Sequence, residues 1–218
     1  MQNMSDPSAS ELAFPMTVAP AVSPRKQPRQ ARAAATVAAV VEAAARILEA
    51  EGLGGFNTNA VAARAGVSIG SLYQYFPGKD AILAALIRRE AEAFDAALTQ
   101  AVSETRDLGT TSAVALLARV AVAHQASRPR LARLLDLEEQ RLGLAEEAQA
   151  AGARTGDAIA RFLSARQLGD ADAAADILCL SRGLIDGALE RGAVENLDGR
   201  LAWAILGYLA LSRQGASA

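Results

Sequence analysis

Apolar residues recur every third or fourth position along most of this chain, and Val/Ile/Thr/Tyr runs of strand type are absent. Val37, Val40, Val41, Ala44 and Leu48 share one helical face, and Gly52, Gly54 and Gly55 end that helix. Two short pieces follow. Thr58 to Ala65 opens on a residue of N-cap type and turns Val61 and Ala62 inward. Gly66 and Val67 form a tight turn, and Ser68 can cap a second short helix running to about Phe76, where Pro77-Gly78 breaks the chain again. From Lys79 the pattern is helical almost to the end. One helix spans Lys79–Val102 with Leu83, Leu86, Ile87, Phe94 and Leu98 inward. Others are expected at Thr111–Ser127, Pro129–Glu139, Leu142–Arg166, Asp170–Glu190 and Leu197–Leu211, with Gly109, Pro129, Gly169 and Gly192 at or near the breaks. The expected fold class is all-α.

Composition supports a helical protein with a sizeable core. Of 218 residues, 51% are apolar and 21% charged, and alanine, the best helix former, fills roughly a quarter of the positions. The net charge of −2 becomes informative only when it is divided along the chain. Residues 1–24 carry Asp6 and Glu11 and no base. Residues 25–79 carry Arg25, Lys26, Arg29, Arg32, Arg46, Arg64 and Lys79 against three acids, and residues 80–218 are net acidic. This reads as a tail (1–24), a basic module (25–79) that suits a polyanion, and an acidic body (80–218). The tail has four prolines and neither the basic start nor the apolar stretch of a secretory signal. It is expected to be flexible, and Met4 and Met16 are further possible starts. No apolar run approaches the ~18–20 residues of a membrane span. The lone Cys179 excludes an internal disulfide and fits a reducing, cytoplasmic setting, while the single His124 leaves most metal sites and triads short of parts. No metal, no cofactor and no catalytic set is expected.

The chemistry sits between Thr58 and Phe76, a helix-turn-helix by spacing. Ala62 is small where two helices cross, Gly66 permits a left-handed turn, and Val67 and Leu72 plug the shared core. At ~100° per residue, Leu72 and Phe76 point inward and Gly70 and Gln74 outward, flanked by Ser71 and Tyr73. A small, polar face with one aromatic suits a helix laid in the major groove. The segment Arg25 to Arg32, with Lys26 and Arg29, forms a basic arm that can enter the minor groove or follow phosphates, with an inert solvated tail as the alternative.

Three stretches together resemble the DNA-binding signature of the TetR (tetracycline repressor) family: Thr58-Asn59-Ala60-Val61-Ala62, Ala65-Gly66-Val67-Ser68 and Ser71-Leu72-Tyr73-Gln74-Tyr75-Phe76-Pro77-Gly78-Lys79. The close match covers roughly residues 31–90; beyond it the likeness is one of architecture. The resemblance implies a three-helix DNA-binding module followed by a helical ligand-binding and dimerisation domain. It further implies a homodimer on a palindromic operator in double-stranded DNA, released when a small-molecule effector enters the body. By the same resemblance Thr58 holds a phosphate, Asn59 reaches a base edge or the backbone, and Ile69, Gly70 and Tyr73 face the groove. Ile69 there meets a thymine methyl. Gln74, Tyr75 and Lys79 fall at phosphate-contact positions, and Ser68 begins the same helix. For Tyr75 the alternative is packing against the first long helix, and for Ile69 a partly buried place on the module core.

In the body, Ile177, Leu180, Leu184 and Ala188 form one stripe and Leu178, Ile185 and Leu189 a second, which is more than a helix wet on one side needs. Gly183 and Gly187 would let helices approach closely, and Leu201, Ile205, Tyr208 and Leu209 again exceed one stripe. A four-helix bundle between two copies accounts for this surplus; a monomer whose other helices cover both faces is the alternative. Phe94, His124, Phe162 and Trp203 are candidates to line an effector cavity, although each also suits ordinary core, and Cys179 reads as a small buried hydrophobe. Two other functions stay open at this point: a DNA-binding dimer without an effector, and an enzyme with a DNA-binding appendage.

Overall fold

The computed structural model describes residues 28–215, with side chains from 31 to 212, and among these all regular structure is α-helical. Along the described residues nine helices follow one another: α1 (Pro28–Gly55), α2 (Thr58–Ala65), α3 (Ile69–Tyr75), α4 (Lys79–Glu104), α5 (Thr110–Ala126), α6 (Pro129–Arg141), α7 (Ala145–Ala165), α8 (Ala171–Glu190) and α9 (Leu197–Gly215). The breaks fall close to the glycine and proline positions, and Gly52, with φ of 68°, kinks α1 three residues before its end. At its start α1 reaches further back than the apolar pattern suggests. It takes in Arg29 and Arg32, because Pro28 stands at the first helical position, where a missing N–H costs nothing. The arm residues Arg25 and Lys26, and the tail of residues 1–24, lie outside the described residues, as does the side chain of Arg29.

Two buried cores meet along α4. The first gathers Val40, Ala44 and Leu48 of α1, Val61 of α2, Leu72 of α3 and Ile82, Leu83 and Leu86 from the start of α4. The second gathers Leu98 and Ala101 from the far half of α4 with Leu117, Phe162, Ile177, Ile185, Leu201 and Leu209 of the body. Leu86 and Leu98 lie ~18 Å apart on one continuous helix, at 1.5 Å per residue, so α4 is a rod shared by both units.

Helix α6 also joins the first core. Leu131 and Leu135 are buried among the α1 and α4 residues, although they lie far along the chain. Polar contacts hold this helix in place. The Leu131 N–H donates to the Glu49 carboxylate at 2.7 Å, Arg130 donates to the carbonyl of Ala50 at 3.1 Å, and Arg141 pairs with Asp80 at 2.7 Å. Glu42 on α1 is the centre of the arrangement and receives Arg46 of its own helix, Arg89 of α4 and Arg128 ahead of α6, at 2.9, 3.1 and 3.1 Å. Burial acts to raise its carboxyl. The hydrogen bonds from Arg46 and Arg128 and the charges of Arg128 and Arg89 outweigh that and hold it at about 2.

Three expectations about the last helices need correction. Leu201 and Ile205 are buried in the body's own core, so the i, i+4 face of α9 is spent within the chain. Trp203 is 68% exposed and is not among the residues that wall the body's apolar cavity. Cys179 is exposed rather than buried. The outward face of this pair instead carries Trp203, Gly207, Ala210 and Leu211 of α9 and Cys179 and Gly183 of α8. Leu180, Leu184 and Tyr208 are half-buried at its edge.

Candidate nucleic-acid interface and effector cavity

The short helices α2 and α3 are set by three local devices. Asn57, and not Thr58, caps α2: its side-chain oxygen accepts from the Ala60 N–H at 3.0 Å, which leaves Thr58 as the first helical residue. Gly66 ends α2 with φ of 69°, and its N–H together with that of Val67 returns to the carbonyls of Ala63 and Ala62. Only glycine takes that left-handed backbone without strain. Ser68 then caps α3, its hydroxyl accepting from the Ser71 N–H at 3.1 Å and meeting the Ser71 hydroxyl at 2.8 Å.

With Leu72 fully buried and Ser71 half-buried, the remaining residues of α3 face out. Ile69, Tyr73 and Tyr75 are 39%, 51% and 40% exposed, and Gly70 and Gln74 are also exposed. Tyr75 therefore does not pack into the first core. The Tyr73 hydroxyl shares a hydrogen bond with the Thr58 hydroxyl at 3.2 Å, which ties the aromatic ring to the start of α2. Asn59 and Lys79 are exposed at the leading turns of α2 and α4, and Thr58 is half-buried between them. The structure thus brings Thr58 and Tyr73 together, and it leaves Asn59, Ser68, Ile69, Gly70, Gln74, Tyr75 and Lys79 exposed on the same run of short helices and turns. An added Cβ at Gly70 would meet nothing nearer than the Ser68 hydroxyl at 4.0 Å, so the fold itself does not require glycine there.

The body holds a largely apolar cavity of about 340 Å³ between α4, α5, α7, α8 and α9. Phe94, Leu98, His124, Phe162, Ile177 and Ile205 are among its walls, so three of the four expected lining residues meet there and Trp203 does not. The Phe94 and His124 rings meet at 4.8 Å between centroids, tilted by 35°. Burial holds the His124 imidazole below its usual range, although the charge of Glu90 acts the other way. His124, Gln125, Asp136 and Arg182 also border a second, more polar cleft of about 500 Å³ between α4, α6 and α7. Burial pushes the Asp136 carboxyl up, Arg182 works against this, and Asp186 adds to it. Among the described residues no group of three or more His, Cys, Asp or Glu side chains is placed to hold a metal, and no helix is long and apolar enough to cross a membrane.

Sequence reasoning missed the polar contacts around Glu42 and the insertion of α6 into the first core. The apolar i, i+4 pair Leu131 and Leu135 marks a buried face, but nothing in the spacing says which helices cover it.

A helix-turn-helix with an exposed second helix, carried on a helical body with its own core, is the architecture of a DNA-binding module. Residues 40–86 match the family model described as bacterial regulatory proteins, tetR family. No curated protein matches the chain. Among solved structures, a TetR-family transcriptional regulator from Mesorhizobium loti is similar over 83% of this chain and 98% of its own, with 20% identity and a TM-score of 0.65. The fatty acid degradation regulator FadR from Bacillus halodurans is similar over 85% and 96%, with 17% identity and a TM-score of 0.62. SmeT in complex with triclosan is similar over 81% and 91%, with 25% identity and a TM-score of 0.58. The chain carries the TetR-family DNA-binding module in the TetR-like fold, and this places it among the DNA-binding regulators of transcription.

Proposed function

We propose that two copies of this chain bind the halves of a palindromic operator, repress transcription there, and leave it when a small apolar molecule fills the body cavity. The observation that carries this reading is the position of the cavity: its wall includes Phe94 and Leu98 of α4, whose first turns support the exposed α3. A ligand that displaces this wall tilts α4, and α6, embedded in the first core through Leu131 and Leu135, moves with it. The two recognition helices then lose the spacing of about 34 Å, or a multiple of it, that matches the repeat of DNA. That SmeT was solved with triclosan supports a small-molecule site in this fold.

In this reading α3 enters the major groove with Ile69, Gly70 and Tyr73 against the bases. Thr58, Ser68, Gln74, Tyr75 and Lys79 sit on or beside the phosphates, Asn59 reaches a base edge or the backbone, and Arg25, Lys26 and Arg29 add charge along them. The outward face of α8 and α9 supports pairing, with Gly183, Gly187, Leu180, Leu184 and Tyr208 at the contact and Trp203 and Leu211 as its largest apolar groups. A cavity of this size favours an effector over a DNA-binding dimer that needs none.

The test is an operator titration by fluorescence anisotropy across a panel of apolar compounds. An effector is expected to weaken operator binding by about 5- to 150-fold, and the operator must weaken effector binding by the same factor. Compounds that raise the melting temperature by filling the cavity yet leave operator affinity unchanged would refute release by a ligand.

A further inference from the structure

Resting on the proposed reading of DNA by α3, we infer that the base pairs this helix contacts are A·T pairs, recognised through thymine methyls and adenine edges rather than through guanine. The exposed positions of α3 are Ile69, Gly70, Tyr73, Gln74 and Tyr75, with Ser71 half-buried among them. None is an arginine, lysine, aspartate or glutamate. Guanine is read in the major groove chiefly by Arg or Lys bridging O6 and N7, and cytosine by a carboxylate accepting from N4. The recognition helix offers neither group.

The one guanidinium of α2 is that of Arg64, in its last turn, and it is paired with Glu51 of α1 at 3.6 Å. Lys79 begins α4, one turn past the end of α3, and in the proposed reading it serves the phosphates rather than the bases.

What α3 does offer matches the other base pair. Ile69 presents a branched apolar side chain, 39% exposed, at the leading turn of the helix. The Tyr73 hydroxyl is engaged with Thr58 at 3.2 Å, so the residue offers its ring as an apolar surface held at a fixed angle. Thymine is the one base with a methyl in the major groove, and an apolar contact there distinguishes it from cytosine. Gln74 carries a primary amide on the outward face; turned to the groove instead of to a phosphate, it can pair with adenine N6 and N7 through two hydrogen bonds. Gly70, with no side chain and with open space above it, lies between these groups and lets the backbone come close enough for both to reach the floor of the groove.

The experiment selects binding sites from random duplexes with the full-length protein and, separately, with Ile69→Ala and Gln74→Ala. Base pairs whose preference disappears in a variant are those read by α3. They are expected to be A·T, with loss of adenine preference of ~5-fold or more in Gln74→Ala. Thymine is then replaced by uracil at the pair lost in Ile69→Ala, which removes only the methyl group. The wild type is expected to bind the uracil duplex several-fold more weakly, and Ile69→Ala to bind the two duplexes alike. A defined palindrome whose α3-dependent pairs are G·C, or equal wild-type binding of uracil and thymine duplexes, overturns this inference and leaves the operator reading intact. Failure of the wild type to select any sequence over random DNA overturns both.

Discussion

Replacing Gly70 by alanine separates what the fold needs from what the DNA needs. The change adds one methyl at the centre of the outward face of α3. Inside the chain its nearest neighbour is the Ser68 hydroxyl at 4.0 Å, an ordinary contact distance, so no strain is introduced. Alanine is favoured over glycine inside a helix by up to ~1 kcal/mol, and by less in a first turn, so thermal stability should stay level or rise slightly. On DNA the same methyl stands where the backbone would approach most closely. Forcing a methyl into a fitted contact costs ~1–3 kcal/mol, which is about 5- to 150-fold in affinity. Differential scanning fluorimetry and competition binding against operator and random duplexes read the two quantities separately. The expected pattern is unchanged or higher Tm with selective loss of operator affinity. Full operator affinity in the Gly70→Ala protein would remove α3 from the groove as described, and a lower Tm would contradict the open space above Gly70.

Four further outcomes follow from the same geometry. Leu131→Ala, in a helix far from the DNA module in sequence, should destabilise that module by ~2–5 kcal/mol in urea unfolding because its side chain is buried in the module core; a loss near zero would detach α6 from it. Glu42, held at about 2 against an ordinary 4.5, stabilises the folded state fully above about pH 4.5 and loses that share as pH falls toward 2; Glu42→Gln should flatten this part of the stability-pH curve, and an unaltered curve would refute the ion-pair account. Lys79→Ala should weaken operator and random DNA by a similar factor and lower the salt slope by about one unit, whereas Tyr73→Ala should erase discrimination with the fold retained; a base-selective loss in Lys79→Ala would reverse these roles. Gly183→Leu, placed in open space on the exposed face of α8, should leave the single chain's fold intact but weaken self-association and operator affinity together in sedimentation and binding assays; unchanged association would move the dimer contact elsewhere.

The parts of the molecule legible in the sequence are those governed by local rules. Val40, Val41, Ala44 and Leu48 share one face because the helix repeats every 3.6 residues, and the structure buries all four. Gly66 and Ser68 stand where a left-handed turn and a cap are needed, and both perform those tasks. Asn57 and Thr58 are adjacent residues of capping type, and only the backbone distinguishes which of them lies just outside the helix. Periodicity gives a face but not the partner that covers it. That is why Leu201 and Ile205 read as surplus apolar surface when they fill the body's core, and why Trp203 read as a cavity wall when it lies outside. The contacts of Glu42 with Arg89 and Arg128 join residues 47 and 86 positions apart, a separation at which no local pattern carries information.

Footprinting on a selected duplex tests the central claim most directly, since it reports both the groove contact and the pairing of two chains. The expected result is two protected patches on one face of the DNA, related by two-fold symmetry and centred a whole number of helical turns apart, about 10–10.5 base pairs or a multiple of it. In Gly183→Leu both patches should weaken together. A single protected patch, or two whose spacing places them on opposite faces of the duplex, would contradict an operator bound by paired recognition helices.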